Sequence, residues 1–371
     1  MRRVLLVFGT RPEAIKMAPV ITEMEARSET FEPIVAVTGQ HREMLDGVLA
    51  GFGITPDHDL DIMRDQQKLT DIAVATLSGL TPLIEHSRPD AMLVQGDTTT
   101  TLSAALAAHY HKIPVGHVEA GLRSGSLEHP YPEEANRRLT SVVARWHFAP
   151  TATAAGHLRA EGHPDEYIYV TGNTVVDALL HVAGEPYRFA PGPVASALES
   201  GRRIVLVTAH RRENWGEPMR SICEAVRAIA VRFPDTHVLF ATHRNPCVRE
   251  TVHEVLAHQE RIDLLEPLDY PAFVNLMQAA EIVLSDSGGV QEEAPTFGTP
   301  VLVMRETTER PEAIEAGVAR LVGTSSERIV AEVSRLLGDA EVYEAMASPS
   351  NPFGDGTAAR RICDVLESEL R

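Results

Sequence analysis

Residues 282–293 read IVLSDSGGVQEE, which is an apolar strand, a tight turn and the first turns of a helix. The adjacent Gly288 and Gly289 let a ligand approach the backbone closely, and the N–H groups and dipole of the following helix favour an anion there. Ser287 is suited to cap the helix or to bind a phosphate, and Glu293 to accept hydrogen bonds from ribose hydroxyls. The segment predicts a nucleotide diphosphate site, with an ordinary capped helix as the plain alternative.

The rest of the chain repeats this strand–turn–helix pattern in two cycles. The first cycle has predicted strands at Val4–Phe8, Ile34–Thr38, Ala91–Gln95 and Val115–Glu119. The second has them at Arg203–Thr208, His237–Ala241, Ile262–Leu265, Ile282–Asp286 and Val301–Met304. Longer segments with apolar residues three or four apart separate the strands and predict helices. The alternation predicts an α/β protein with two doubly wound domains, in which ligands bind at the carboxyl ends of strands.

Length and composition support this division. A chain of 371 residues is too long for one ordinary core. We interpret residues 1–185 as the N-terminal domain, 203–353 as the C-terminal domain and the Pro-, Gly-, Ala- and Ser-rich stretch 186–202 as the linker. A last helix, Thr357–Leu370, is predicted to close the chain.

Charge and hydropathy exclude several classes of partner. The 34 basic and 52 acidic residues give a net charge of −18, which repels nucleic acids and anionic membranes. No apolar run reaches the roughly 18 residues of a membrane span. The apolar N-terminal stretch is too short for a signal peptide and is interpreted as the first strand. We therefore expect a soluble, cytoplasmic protein that binds neither nucleic acid nor membrane.

The sequence also argues against a metal or a dinucleotide cofactor. Cys223, Cys247 and Cys363 are widely spaced, so they predict neither a disulfide framework nor a metal cluster. No spacing of His, Asp and Glu residues suggests a metal site, and no GxGxxG motif follows the first strand. We expect no cofactor.

Charged side chains follow the predicted strands of the first domain. After the first strand come two cations, Arg11 and Lys16, for which solvated surface charge, or a Lys16–Glu13 pair, is the alternative. Asp97 follows another strand and is either a helix N-cap or a catalytic carboxylate. Glu119 ends an apolar strand, where a carboxylate is costly unless it is paired or functional.

A third carboxylate, Glu133, opens a helix with Arg137 four residues further on, which also fits a plain surface ion pair. If the segments converge, the three carboxylates are suited to proton transfer at a carbon centre. In the second domain His210 and His243 each follow a strand, with a surface residue or a cap as the alternative. Arg310 is suited to pair with a phosphate, or with a neighbouring glutamate in a turn.

Together these motifs resemble the non-hydrolysing UDP-N-acetylglucosamine 2-epimerases. The likeness is carried by GTRPEAIK (9–16), GDTTT (96–100), HVEAGLR (117–123), PEEANR (132–137), SGGVQEE (287–293) and TERPE (308–312). It implies a glycosyltransferase-B-like fold of two Rossmann-like domains with an active-site cleft between them, and a final helix, 357–371, that returns to the first domain. It also implies a homodimer.

The activity implied by the resemblance is reversible interconversion of UDP-GlcNAc and UDP-ManNAc without NAD, feeding surface polysaccharide synthesis. Members of the family eliminate UDP to give 2-acetamidoglucal and add it back with the opposite configuration at C2. The implied acid–base and catalytic residues are Asp97, Glu119, Glu133 and His210, with Lys16 and Arg137 as supporting cations. The implied UDP-binding residues are Arg11, Phe273, Ser287, Gly288, Gly289, Glu293 and Arg310.

The resemblance further implies that a second UDP-GlcNAc acts as an activator, at a site to which Gln40, His41 and Gln66 would belong. Glu43 and Gln66 depart from the pattern of activated members by one carboxylate more and one cation fewer. Three other functions fit the same pattern: a glycosyltransferase, a non-catalytic sugar-nucleotide sensor and a hydrolysing epimerase. The carboxylates at strand ends favour the non-hydrolysing epimerase over the transferase.

Overall fold

A computed structural model of the chain describes residues 1–39, 42–64, 67–243, 245–347 and 351–370, with the backbone alone at 42–44. The chain divides into two compact units, Met1–Ala178 with Phe353–Arg371, and Leu179–Pro352. Each unit is built on its own parallel sheet with helices between consecutive strands. The predicted pair of doubly wound α/β sheets is therefore confirmed.

The strands are numbered along the chain. Those of the first unit are β1 (Arg2–Phe8), β2 (Phe31–Val37), β3 (His58–Asp59), β4 (Ala91–Gln95), β5 (Val115–Val118), β6 (Trp146–Ala149) and β7 (Ile168–Val170). Those of the second unit are β8 (Arg203–Ala209), β9 (Thr236–Thr242), β10 (Ile262–Leu265), β11 (Ile282–Ser285), β12 (Val301–Val303) and β13 (Ala319–Leu321).

The α-helices are numbered in the same way. The first seven are α1 (Arg11–Ala26), α2 (Arg42–Gly51), α3 (Leu69–Ser87), α4 (Thr99–Tyr110), α5 (Glu133–Val143), α6 (Ala152–Ala160) and α7 (Thr174–Gly184). The next five are α8 (Pro193–Glu199), α9 (Glu217–Arg232), α10 (Pro246–Leu256), α11 (Tyr270–Ala279) and α12 (Gly288–Glu293). The last four are α13 (Pro311–Glu315), α14 (Ser326–Gly338), α15 (Ala340–Met346) and α16 (Ala358–Glu369). Helix α8 lies within the stretch interpreted from the sequence as a linker.

The first sheet has the order β3-β2-β1-β4-β5-β6-β7, and all of its strand pairs are parallel. Its central strand β1 is apolar from Val4 to Phe8 and buried along that whole length, because helices cover both faces of a parallel sheet. Small side chains at Ala104, Ala105 and Ala108 let α4 pack closely against the sheet and its neighbouring helices.

The last helix, α16, belongs to the first unit. Its apolar face, Ile362, Cys363 and Leu366, is fully buried, and the helix packs against α1. Asp177 accepts hydrogen bonds from the first N–H groups of α16, at Ala358 (3.2 Å) and Ala359 (2.8 Å). Burial raises the pKa of the Asp177 carboxyl to about 6.

The second sheet has the order β10-β9-β8-β11-β12-β13 and is also parallel throughout. Helix α14 shows why these segments fold as they do: Ile329, Val333 and Leu336 recur at helical spacing and are all buried. None of the described helices is both long enough and apolar enough to cross a bilayer.

Each sheet has one point at which the chain reverses the direction in which it adds strands. In the first sheet this point lies between β1 and β4, and in the second between β8 and β11. The loops that follow such a pair of strands diverge and leave room for a ligand at the carboxyl ends. We call the turns after β1 and β4 the first switch point, and those after β8 and β11 the second.

Candidate functional site

A buried glutamate ties together the two turns of the first switch point. Oε2 of Glu13 accepts hydrogen bonds from the backbone N–H groups of Gly9 (3.0 Å) and Thr10 (2.7 Å). Its Oε1 accepts from the hydroxyls of Thr98 (2.6 Å) and Thr101 (3.0 Å). Burial raises the pKa of this carboxyl, and the hydrogen bonds oppose that rise. Glu13 therefore fixes the geometry of the site.

Glu119 lies just beyond β5 with its backbone in the left-handed region, at φ 66°. That conformation costs a residue with a side chain about 1–2 kcal/mol. Its side chain is 7% exposed, and its Oε2 accepts hydrogen bonds from Lys16 Nζ and Gln95 Nε2. The described residues donate no hydrogen bond to its Oε1. The alternative of a Lys16–Glu13 pair is wrong, because Glu13 binds the two turns and the partner of Lys16 is Glu119.

Asp97 does not cap α4, so that alternative is also wrong. Thr98 is the N-cap, and its hydroxyl accepts a hydrogen bond from the Thr101 N–H at 3.1 Å. Oδ2 of Asp97 instead forms an ion pair with Arg137 on α5, and the Asp97 carbonyl accepts from Asn136 Nδ2 at 2.9 Å. The structure therefore brings Asp97 and Arg137 together at the first switch point.

The residue that orients Arg137 is Glu134, which the sequence reasoning missed. Glu134 is fully buried; its Oε2 accepts from Arg137 Nη1 (3.2 Å) and the Ser124 N–H (3.0 Å), and its Oε1 accepts from Arg138 Nε (2.9 Å). Glu133 makes no hydrogen bond or ion pair with a described residue, so the predicted plain Glu133–Arg137 pair is not formed. The sequence signal for this role of Glu134 was the pair of adjacent glutamates, since spacings of three and of four residues to Arg137 both suit a helical ion pair.

His117 on β5 holds the turn that carries Asp97. Its Nε2 lies 2.7 Å from the Gly96 carbonyl oxygen, so this nitrogen carries the proton and donates it. Burial lowers the pKa of His117 to about 4. A neutral imidazole therefore supports the turn throughout the physiological pH range.

The second switch point is organised by Asp286, a second residue that the sequence reasoning passed over. This fully buried carboxylate accepts hydrogen bonds from the N–H groups of His210 (3.0 Å) and Arg211 (2.9 Å) and from Asn214 Nδ2 (2.9 Å). Its Oδ1 lies 3.3 Å from Nδ1 of His210, and the His210 ring stacks on His243. The signal was an aspartate placed directly ahead of the Ser-Gly-Gly turn at a strand end.

Burial lowers the pKa of His210 below its ordinary value; Asp286 opposes that change, while His243 and Arg211 add to it. At neutral pH the free site therefore presents an imidazole in its uncharged form.

The Ser-Gly-Gly turn begins α12, and the Ser287 N–H donates to the Ser285 hydroxyl at 3.0 Å. Ser287 occupies the N-cap position, but its hydroxyl makes no capping hydrogen bond. Neither Gly288 nor Gly289 has a positive φ. A Cβ atom would meet its nearest neighbour at ordinary contact distances, 3.6 Å from Arg211 Nη2 at Gly288 and 3.8 Å from Glu293 Oε1 at Gly289. Nothing among the described residues therefore requires glycine at these two positions.

Arg310 precedes α13 and pairs through its Nε with Glu292, which is almost completely buried. The carboxylate of Glu309 binds Arg305 at 2.8 and 3.0 Å, so the expected alternative of a local turn pair with Glu309 is not the arrangement found. The guanidinium of Arg310 is thus oriented by a buried partner from the glycine-turn helix.

The remaining predicted residues lie in α1, in α11 or outside the described residues. Arg11 is the first residue of α1, half-buried, and it forms no ion pair with a described residue. Phe273 lies half-buried in the second turn of α11, after β10. Gln40, His41 and Gln66 lie outside the described residues, as does the side chain of Glu43. Within the part of the chain that the structure describes, no cluster of three or more His, Cys, Asp or Glu residues is arranged to hold a metal ion.

Comparison with known proteins identifies the family. A family model described as UDP-N-acetylglucosamine 2-epimerase matches residues 23–367. The chain belongs to this family. A UDP-N-acetylglucosamine 2-epimerase of Salmonella typhimurium is 51% identical over 379 aligned residues, which cover 99% of this chain and 98% of the relative. The chain is therefore an enzyme of the UDP-N-acetylglucosamine 2-epimerase family along its whole length.

Solved structures of related epimerases agree in fold. The UDP-GlcNAc 2-epimerase of Neisseria meningitidis, bound to UDP-GlcNAc, is similar with a TM-score of 0.89 and 46% identity, over 99% of this chain and 100% of that one. A Staphylococcus aureus protein, MnaA, solved with UDP, is similar with a TM-score of 0.90 and 42% identity, over 100% and 97%. The predicted glycosyltransferase-B-like fold class is confirmed for this epimerase-family chain.

Proposed function

We propose that this protein interconverts UDP-GlcNAc and UDP-ManNAc by eliminating UDP and adding it back. Elimination breaks the C1–O bond to the β-phosphate, removes the proton from C2 and leaves 2-acetamidoglucal. Re-addition forms the C1–O bond again and returns a proton to the other face of C2. The net change is stereochemical, so the reaction needs no oxidant, reductant or NAD.

The observation that carries this proposal is the paired carboxylates of the first switch point. Asp97 and Glu119 each have one oxygen held by a cation, Arg137 and Lys16 respectively. A carboxylate fixed in this way has its second oxygen oriented for proton transfer, which typically contributes about 100- to 10,000-fold to the rate. Inversion at C2 needs a base on one face of the sugar and an acid on the other, and we assign these roles to Asp97, Glu119 and Glu133 as a set.

The second switch point is proposed to bind UDP. As UDP leaves, negative charge grows on its β-phosphate, and donors fixed in advance stabilise that charge most. The backbone N–H groups of Gly288 and Gly289 at the start of α12 and the Arg310 guanidinium have this character. We assign Glu293 to the ribose, Phe273 to the uracil and Arg11 to the diphosphate, with His210 as a catalytic group.

A homodimer and a role in supplying surface polysaccharide synthesis complete the proposal. Helix α5 leaves Leu139 and Val142 53% and 74% exposed, and the two residues lie three apart on one face. We propose that these two side chains lie in the interface of the dimer. Sedimentation equilibrium tests the dimer: the wild type is expected at twice the chain mass, and a monomer with unchanged activity would contradict it.

The proposed reaction is tested by following UDP-GlcNAc in D2O with the purified protein by NMR. We expect UDP-ManNAc that carries deuterium at C2, with traces of UDP and 2-acetamidoglucal after prolonged incubation. Product without the label would overturn the elimination mechanism. Free ManNAc with stoichiometric UDP would indicate a hydrolysing enzyme, and unchanged UDP-GlcNAc would indicate a sensor.

A further inference from the structure

Asp286 contacts both the backbone N–H and the imidazole ring of His210. It accepts the His210 backbone N–H at 3.0 Å and 3.1 Å, which fixes the start of the loop after β8. Its Oδ1 also lies 3.3 Å from Nδ1 of the ring. The carboxylate is fully buried, whereas the His210 side chain is 39% exposed, so the opposite side of the ring is open to a ligand.

The contact between Oδ1 and Nδ1 decides where a neutral imidazole carries its proton. A lone pair on Nδ1 would lie 3.3 Å from the negative carboxylate oxygen and be repelled by it. An N–H at the same position would be attracted, and the attraction is strong because Asp286 is fully buried. The remaining nitrogen, Nε2, then carries the lone pair.

The other groups that face His210 are His243 and Arg211. His243 stacks on the ring with centroids 5.8 Å apart, and its own Nδ1 accepts the Asn245 N–H at 3.2 Å. A neutral His243 therefore carries its proton on Nε2. Different groups therefore act on the two stacked rings, and among the described residues Asp286 is the acidic group that faces the His210 ring.

We propose that Asp286 is a positioning residue that holds His210 in the Nδ1-protonated tautomer, with Nε2 directed to the sugar nucleotide. The inference rests on the proposed function, since it specifies how His210 works in that reaction. In the neutral ring Nε2 accepts a proton or a hydrogen bond. Once Nε2 is protonated, the ring is a cation stabilised by Asp286, and it donates to the charge that develops on the departing phosphate.

The tautomer is measured by two-bond proton–nitrogen NMR on the unliganded full-length protein labelled with ¹⁵N-histidine. The His210 signals are assigned by their loss in His210→Gln. We expect Nδ1–H in the wild type above the pKa of the ring. We expect Nε2–H in Asp286→Asn, because the new amide then donates a hydrogen to Nδ1.

Asn214→Ala is the matched control. It removes one hydrogen bond to Oδ2 of Asp286 but leaves Oδ1 facing the ring, so the tautomer should remain Nδ1–H. In Asp286→Asn we expect kcat to fall about 100-fold, with KM within about threefold and the acid limb of the pH profile moved to lower pH. A purely structural loss would reduce activity in both variants without moving that limb.

An Nε2–H tautomer in the wild type would overturn the proposal, and this result needs no variant to fold. An unchanged tautomer in a folded Asp286→Asn variant would overturn it as well. Failure of the proposed function looks different: the wild type would show Nδ1–H yet leave UDP-GlcNAc unchanged. The two failures are therefore distinguishable in one set of samples.

Discussion

The two switch points differ in how far their acidic side chains reach solvent. At the second, Asp286 is fully buried and Glu292 nearly so, and their partners are more exposed, His210 at 39% and Arg310 at 16%. At the first, Glu119 is also more buried than its partner Lys16, at 7% against 15%, but Asp97 is 27% exposed and its partner Arg137 only 11%. The first switch point therefore leaves a carboxylate partly exposed, whereas the second exposes a histidine and an arginine. The proposed division of roles, with proton transfer at the first and anion binding at the second, follows this difference.

The carboxylates that fix the two sites also differ in their donors. Glu13 accepts from two backbone N–H groups and two hydroxyls, and a hydroxyl can turn round to accept a hydrogen bond. Among the described residues, Asp286 accepts from the backbone N–H groups of His210 and Arg211, which cannot reverse, and from the Asn214 amide. That amide can turn round only by giving up its second hydrogen bond, to the Met304 carbonyl. The first switch point should therefore tolerate a neutral amide at its centre better than the second.

Neutralising either of the carboxylates that we propose to be catalytic is expected to have the largest effect. Asp97→Asn and Glu119→Gln should each lower turnover by about 100- to 10,000-fold, because each loses an oxygen that moves a proton. Glu25→Gln, an exposed change of the same kind on α1, should leave turnover unaltered. NMR rates of UDP-ManNAc formation measure all three, and turnover within tenfold of the wild type for both site variants would exclude these carboxylates from the chemistry.

A methyl group added at Gly288 should weaken the binding of UDP without lowering the stability of the protein. Gly288→Ala is expected to raise the UDP Kd about tenfold, or about 1.4 kcal/mol, because the Cβ takes space left for the diphosphate. The melting temperature should not fall, since that Cβ lies 3.6 Å from its nearest protein neighbour. The control is Gly338→Ala at the end of α14, where a Cβ meets nothing within 4 Å. Unchanged UDP affinity would show that the ligand does not approach this backbone.

Backbone strain at Glu119 should appear as a difference in stability between two variants of that residue. Glu119→Gly is expected to be about 1 kcal/mol more stable than Glu119→Ala, because only glycine adopts φ 66° without cost. Both variants lose the carboxylate, so the difference between their free energies of unfolding isolates the effect of the backbone conformation. Urea denaturation at pH 7 measures it, and an alanine variant of equal or greater stability would mean that the turn relaxes.

The smallest effect is expected at Glu13. Glu13→Gln should change the free energy of unfolding by no more than about 1 kcal/mol, because its amide nitrogen donates to Thr98 and Thr101 while its oxygen accepts from Gly9 and Thr10. A loss above about 3 kcal/mol would show that the hydroxyls do not reverse.

The wild type and Glu13→Gln should also differ in how their stability depends on pH. The pKa of Glu13 is raised in the folded state, so its stabilising contribution is fully present below the ordinary pKa of a glutamate. That contribution is lost as pH rises through the raised value. The stability of the wild type relative to Glu13→Gln should therefore fall with rising pH. Denaturation midpoints of both proteins, measured from the ordinary pKa of a glutamate upwards, test this. A relative stability that rises with pH would contradict it.

The sequence was sufficient for the strands that are apolar over four or more residues and for the charges at their ends. It did not reveal β3, β7 and β13, because two or three residues are too few to show a period. It also did not reveal β6, whose four residues alternate bulky aromatic side chains with His147 and Ala149.

At the site, motif spacing identified which positions carry charge but not which partner each would choose. Glu133 and Glu134 are equivalent by spacing, and only the fold buries Glu134 against Arg137. The left-handed backbone of Glu119 and the four-way contact of Asp286 depend on neighbouring strands that are distant in the chain. Within each unit, contacts such as those of Glu119 with Lys16 and of Asp286 with His210 join residues that are distant in the chain, and no local pattern encodes them.

Separation of proton transfer from nucleotide binding is tested most directly by calorimetric titration of Glu119→Gln with UDP. Because Glu119 contacts Lys16 and Gln95 at the first switch point, the variant should bind UDP with a Kd within about threefold of the wild type while its turnover is lost. A tenfold or greater loss of UDP affinity in the folded variant would show that the carboxylate supports the nucleotide site, and would contradict the division of roles between the two sheets.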